Sequence, residues 1–150
     1  METTEFIIRM LVATGVGAAV GLERQINNKS AGLRTNTLVA LGSCVFVIIS
    51  VMLIPEGGDP TRIIGQVVTG IGFLGAGVIL HRGANVQGLT TAATIWCSAG
   101  LGCLAGLENF LEAAIAAIFI IIINFAFKKG DKWFDEEQKK LKKNNDKSNQ

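Results

Sequence analysis

Five apolar stretches, each 17 to 19 residues long, run along the chain at 6–22, 37–54, 63–80, 89–107 and 110–127. A helix rises about 1.5 Å per residue, so each stretch as a helix would cover roughly the hydrocarbon core of a bilayer. No segment between two stretches exceeds 14 residues. Charged side chains make up only 17% of the 150 residues, where a soluble domain carries about 25%. The pattern excludes a soluble α/β enzyme and leaves no room for a second folded domain between the stretches. It predicts an all-α membrane protein: a compact bundle of five transmembrane helices over 1–127, followed by a short lysine-rich tail over 128–150.

Helices are expected because lipid offers the backbone no hydrogen-bond partners. β-Branched runs such as Val45 to Val51 do not argue for strands here, since a transmembrane barrel needs alternating segments of about ten residues. Asp59-Pro60 reads as an N-cap followed by proline at the first helical position of the third span. Pro55 closes the second span. Span one is preceded by Glu2 and Glu5, with its basic cluster after it. That order is the reverse of a signal peptide, so the span is expected to be retained.

Cations set the orientation. Arg24, Lys29, Arg34, Arg82 and the eight lysines of the tail lie on one side, and only Arg62 lies on the other, with Glu2, Glu5, Glu56, Asp59 and Glu108. The N-terminus is therefore expected outside and the C-terminus in the cytoplasm. Trp133, Phe134 and Leu141 could lay part of the tail on the inner membrane surface.

Many of the 18 glycines fall inside the spans. Membrane helices have little hydrophobic drive to associate, and small residues that permit close backbone approach take its place. At about 100° per residue, Ala13, Gly17 and Gly21 share one face of span one. Ala92, Ala99, Cys103 and Gly106 share one face of span four. In span three Gly65, Gly72 and Gly75 lie on one face, with Gly70 and Gly77 opposite. Small residues on two faces predict that span three packs on two sides at the centre of the bundle. Gly72→Leu would then force it away from a neighbour. Residues 70–75 also spell G-x-G-x-x-G, but a dinucleotide loop requires a preceding strand and a soluble βαβ unit, so close helix packing explains these glycines better.

No catalytic, cofactor or metal site is expected. Cys44, Cys97 and Cys103 lie within spans without CxxC spacing, and His81, the single histidine, sits at a helix end. Arg9, about one turn inside span one, is expected to snorkel to the outer interface. Glu23 and Arg24 cap the other end of that span, pairing with Arg34 or with each other. Arg62 and Gln66 share a helix face. Thr90, Thr91 and Thr94 open span four, where hydroxyls can satisfy backbone carbonyls or line a polar crevice. No Asp or Glu lies mid-span, which counts against a proton-coupled carrier or a dedicated Mg²⁺ site.

Four segments, read together, carry a resemblance. They are Gly21-Leu22-Glu23-Arg24-Gln25; Ala31-Gly32-Leu33-Arg34-Thr35-Asn36 running to Gly42; Arg62 followed by Gly70 to Ile79; and Gly88 to Trp96. In this order they resemble the membrane domain of the MgtC/SapB family of bacterial inner-membrane proteins, closely over 20–107 and loosely over 6–127. Asn36, Asn85-Val86 and Trp96 to Gly100 are closer to the MgtC branch. Ser30 and Gln87 depart from the family's usual Pro and Arg.

The resemblance implies a non-enzymatic inner-membrane regulator of adaptation to low magnesium and, in pathogens, of survival inside host cells. It would act by binding other membrane proteins, ATP synthase among them, with the bilayer as solvent and a homo-oligomer left open. Nucleic acid is not an expected partner. The alternative is a small cation (Mg²⁺) transporter or channel subunit. The motif residues implied to carry the shared role are Glu23, Arg24, Arg34, Asn36, Arg62, Asn85 and Thr90. MgtC proper continues into a soluble domain where this sequence has a 23-residue tail, so activity resting on that domain is not expected.

Overall fold

A computed structural model describes residues 1–54, 59–82 and 85–127. Pro55, Glu56 and the whole tail, with Trp133, Phe134 and Leu141, lie outside the described residues. Among the described residues there are five helices: α1 (Thr3–Ile26), α2 (Leu33–Met52), α3 (Pro60–Gly77), α4 (Leu89–Gly106) and α5 (Phe110–Phe127). Between α3 and α4 runs a two-stranded antiparallel hairpin, β1 (Leu80–Arg82) and β2 (Asn85–Gln87), in which His81 stands opposite Val86. The chain divides into two units, Met1–Ile120 and Ile121–Gln150. In the second, residues 121–127 form the C-terminal end of α5.

Among the described residues α1, α2, α4 and α5 are long and apolar enough to cross a membrane. α3 is not among these four: Arg62 and Gln66 occupy its first two turns. It starts where expected, Asp59 accepting from the Thr61 amide at 2.9 Å with Pro60 in the first turn, but it ends at Gly77 rather than at residue 80. There the chain turns into the hairpin, and Leu80 pairs with Gln87. The hairpin, unforeseen in the sequence, adds a short β element to a fold that is otherwise all-α. Its junction with α4 needs glycine: Gly88 has φ of 93°, and a Cβ there would lie 2.1 Å from the Val78 carbonyl oxygen.

Two helices end in Schellman motifs, with a left-handed residue at C′. After α1 this is Asn28 (φ 53°), with Lys29 N–H bonded to the Arg24 carbonyl at 3.0 Å. After α4 it is Glu108 (φ 65°), with Asn109 N–H bonded to the Leu104 carbonyl at 3.0 Å. The second places a carboxylate at the α4–α5 corner.

The densest packing joins α1, α2 and α4. Ala13 of α1, Cys44 and Ile48 of α2 and Ala105 of α4 form one buried cluster. Glycine makes these contacts close. A Cβ on Gly17 would sit 2.8 Å from the Ala40 Cβ, one on Gly21 2.7 Å from the Leu33 Cα, and one on Gly106 2.8 Å from Val47. Gly102 is tightest, its hypothetical Cβ lying 2.0 Å from the Ala40 carbonyl oxygen.

These contacts correct the expected layout. α2 and α4, not α3, form the centre: Ala40 of α2 meets Gly17 of α1 and Gly102 of α4, and α4 also packs against α1 and α3. α3 lies to one side against α4 and α2, touching α4 where Gly75 meets Ala92 at ordinary van der Waals distance. Gly65, Gly70, Gly72 and Gly77 have no atom within 4 Å of an added Cβ, so they make no close contact with another described helix. The closest approach on α4 is at Gly102, whereas Cys103 beside it lines a cavity against α3 and α5.

Candidate functional site

Arg24 is the most deeply buried charged side chain among the described residues, 2% exposed at the last turn of α1. A cation there complements the helix dipole, but burial demands partners. Its Nη2 donates to Thr91 Oγ1 at 2.6 Å and to the Ser30 carbonyl oxygen at 3.3 Å. The Ser30 hydroxyl lies 3.1 Å from Thr91 Oγ1. One side chain thus ties α1, the segment after it and the first turn of α4 together.

Asn36, fully buried in α2, makes a parallel link. Its Nδ2 donates to the Ala31 and Gly32 carbonyl oxygens, and its Oδ1 accepts from the Ser98 hydroxyl at 2.8 Å. Thr91 and Ser98 are seven residues apart, so they share one face of α4. Gly102 and Gly106 continue that face, and all four are buried. Along this seam polar links at one end give way to glycine contacts at the other.

The far end is held by a second arginine. Arg9, 15 residues before Arg24, stands about 22 Å away along α1. It does not snorkel outward as expected. It is 7% exposed; Nη1 donates to the Gly106 carbonyl oxygen at 2.7 Å and Nη2 pairs with Glu108 at 2.5 Å. The C-terminal carbonyls of α4 and the carboxylate at its Schellman corner offer a stronger anionic partner than the interface does.

Of the motif residues, the fold buries Arg24 and Asn36 in two separate polar links to α4, through Thr91 and Ser98, and gives the rest no such link. Glu23 accepts from Asn27 Nδ2. Arg34 is exposed in the first turn of α2, and Thr90 is exposed at the start of α4. The threonine that Arg24 reaches is Thr91, one residue on. Arg62 is exposed in the first turn of α3, at the opposite end of α2 from Arg34, and Asn85 lies in β2 opposite Arg82. Sequence reading missed Ser30, Ser98 and Glu108 as contact residues, named Thr91 only as one of three hydroxyls opening span four, and placed Arg9 at the interface; the seven-residue spacing of Thr91 and Ser98 was the available signal.

These links are cross-helix hydrogen bonds. Among the described residues no three His, Cys, Asp or Glu side chains converge as metal ligands. Asp59, outside the apolar spans, has its carboxyl held below the usual carboxylate range by the hydrogen bonds it accepts from the Thr61 hydroxyl and amide.

Residues 10–133 match the family model described as MgtC family. The chain belongs to the MgtC family. It is 52% identical to "Protein MgtC" of Salmonella typhimurium over 79% of this chain and 51% of that protein. It is 52% identical to "Protein MgtC" of Brucella abortus over 73% of this chain and 45% of that protein. An uncharacterized protein of Synechocystis, slr0014, is 49% identical over 85% of this chain and 54% of its own length. The chain thus spans about half the length of the curated relatives it matches. No solved structure matches it. The core of this MgtC-family protein is accordingly the α1–α2–α4 unit, with Arg24 and Asn36 at one end and Arg9 at the other.

Proposed function

We propose that this MgtC-family chain is a non-enzymatic regulator in the bacterial inner membrane, serving adaptation to low Mg²⁺ by binding other membrane proteins. One observation carries the reading. Gly65, Thr69, Gly72 and Ala76 recur at helical spacing along α3 and all are exposed. Neither glycine has an atom within 4 Å of an added Cβ, and the Thr69 hydroxyl is spent on the Gly65 carbonyl of its own helix. A smooth stripe of this kind lets a second membrane helix approach closely. The described helices leave it uncovered.

In this reading all five helices cross the bilayer, α3 included, with the N-terminus outside and the lysine-rich tail inside, as the partition of cations supports. ATP synthase is the first partner to test, by ATP-driven proton pumping in inverted membrane vesicles. The wild-type chain should slow pumping and Gly72→Leu should not. Pumping unaffected by wild type would remove ATP synthase as the partner. Mg²⁺ flux into proteoliposomes carrying the chain alone would replace the regulator with a transporter.

A further inference from the structure

On the other side of α3 a groove of about 490 Å³ opens between α2 and α3, a volume typical of a small-molecule site. Its walls are apolar, with Phe46 of α2 and Val67 and Leu74 of α3. Gly42 and Gly70 line it too, and neither has an atom within 4 Å of an added Cβ, so the two glycines deepen the groove. At one end it runs into a smaller cavity of about 300 Å³ that shares Ile63 and Gln66 with it and adds Leu53, Asp59 and Arg62.

The combined shape is amphipathic: a long apolar trough leading to a cation and an amide. Both polar groups are available. Among the described residues the Arg62 guanidinium has no ion pair and the Gln66 amide no side-chain hydrogen bond. The nearby Asp59 carboxylate accepts from Thr61 and feels the Arg62 charge, but forms no ion pair with it among the described residues. A free amide beside hydrocarbon is costly, and an arginine fork suits a phosphate. We infer that the α2–α3 groove binds an anionic phospholipid, its acyl chain along Phe46, Gly70 and Leu74, its phosphate at Arg62 and its ester region at Gln66. A partner helix would fill the trough but would leave the Arg62 guanidinium with only the unpaired Asp59 charge nearby and none of its donors bonded. The site lies away from the Gly65–Gly72 stripe and stands independently of the proposed function.

Native mass spectrometry of the full chain, released from micelles holding equal phosphatidylglycerol and phosphatidylcholine, tests this. Wild type should retain phosphatidylglycerol about fivefold over phosphatidylcholine, the advantage one cation gives at an anionic headgroup. Arg62→Ala should bring the two to parity, and Lys29→Ala, an exposed cation at the other end of the bundle, should keep the preference. Gly70→Leu, whose side chain would project into open groove, should lower retention of both lipids. Equal retention by wild type, or a preference that survives Arg62→Ala, would overturn the site. So would a lipid-free dimer that Gly70→Leu converts to monomer, since the groove would then belong to a second copy.

Discussion

At the residue scale the fold rests on a few polar side chains placed where no water can replace their partners. Thr91→Val removes the shorter of the Arg24 hydrogen bonds while keeping volume. A buried bond to a charged group contributes about 1.5–3 kcal/mol, and thermal unfolding in detergent should show a loss of that order. Thr90→Val, at the exposed neighbour, should leave the midpoint unchanged. Glu108 carries a left-handed backbone, which costs a non-glycine residue about 1–2 kcal/mol, and keeps it while pairing with Arg9. Glu108→Gln preserves the shape and removes the charge. Because the Glu108 side chain is half exposed, the expected loss is smaller, about 1 kcal/mol, and should appear in the same unfolding measurement. Asp59 gives a pH dependence. Its folded carboxyl is more acidic than the unfolded one, so the cap stabilises α3 above the usual carboxylate range and is lost as pH falls through the depressed value. Asp59→Asn should remove that acid dependence from helicity measured by circular dichroism.

At the element scale, glycines of one composition do two different jobs. Gly102→Ala would drive a methyl group onto the Ala40 carbonyl and should destabilise by about 1–3 kcal/mol, the usual cost of overpacking. Gly72→Ala meets nothing and should stabilise the helix by about 0.5–1 kcal/mol through propensity alone. Unfolding midpoints of the two variants, moving in opposite directions, check the assignment of the α2–α4 seam, rather than α3, to the centre; a fall for both would contradict it. The same contrast shows why sequence reading placed α3 wrongly. Glycines on two faces state that close approach is possible on two sides, but not which sides this chain fills. On α4 small residues occur almost all the way round, from Ala92, Ala93 and Ser98 to Gly100, Gly102, Cys103 and Gly106. Periodicity could not select the Gly102 face from that ring. The starts of α3, α4 and α5, by contrast, were readable because an N-cap with proline or a change from polar to apolar residues marks them locally, whereas α1 and α2 run four residues beyond the apolar stretches at 6–22 and 37–54.

At the scale of the whole molecule, the bilayer's thickness made the five helices visible in the sequence, and family motifs pointed to Arg24 and Asn36. The partners of those residues were not visible. A hydroxyl such as Thr91 or Ser98 can satisfy its own helix as Thr94 does with the Thr90 carbonyl, and only tertiary packing turns it toward a neighbour. What results is a unit whose interior polar groups hold helices together and whose α3 presents bare backbone outward. On the proposed reading this outward face meets another protein, which photo-crosslinking in native membranes can capture. A photoreactive residue at Ala76 on α3 should form adducts with a larger membrane protein, while one at Ile118, exposed on α5, should label lipid. Adducts with only lipid or a second copy of the chain at both positions would contradict the account.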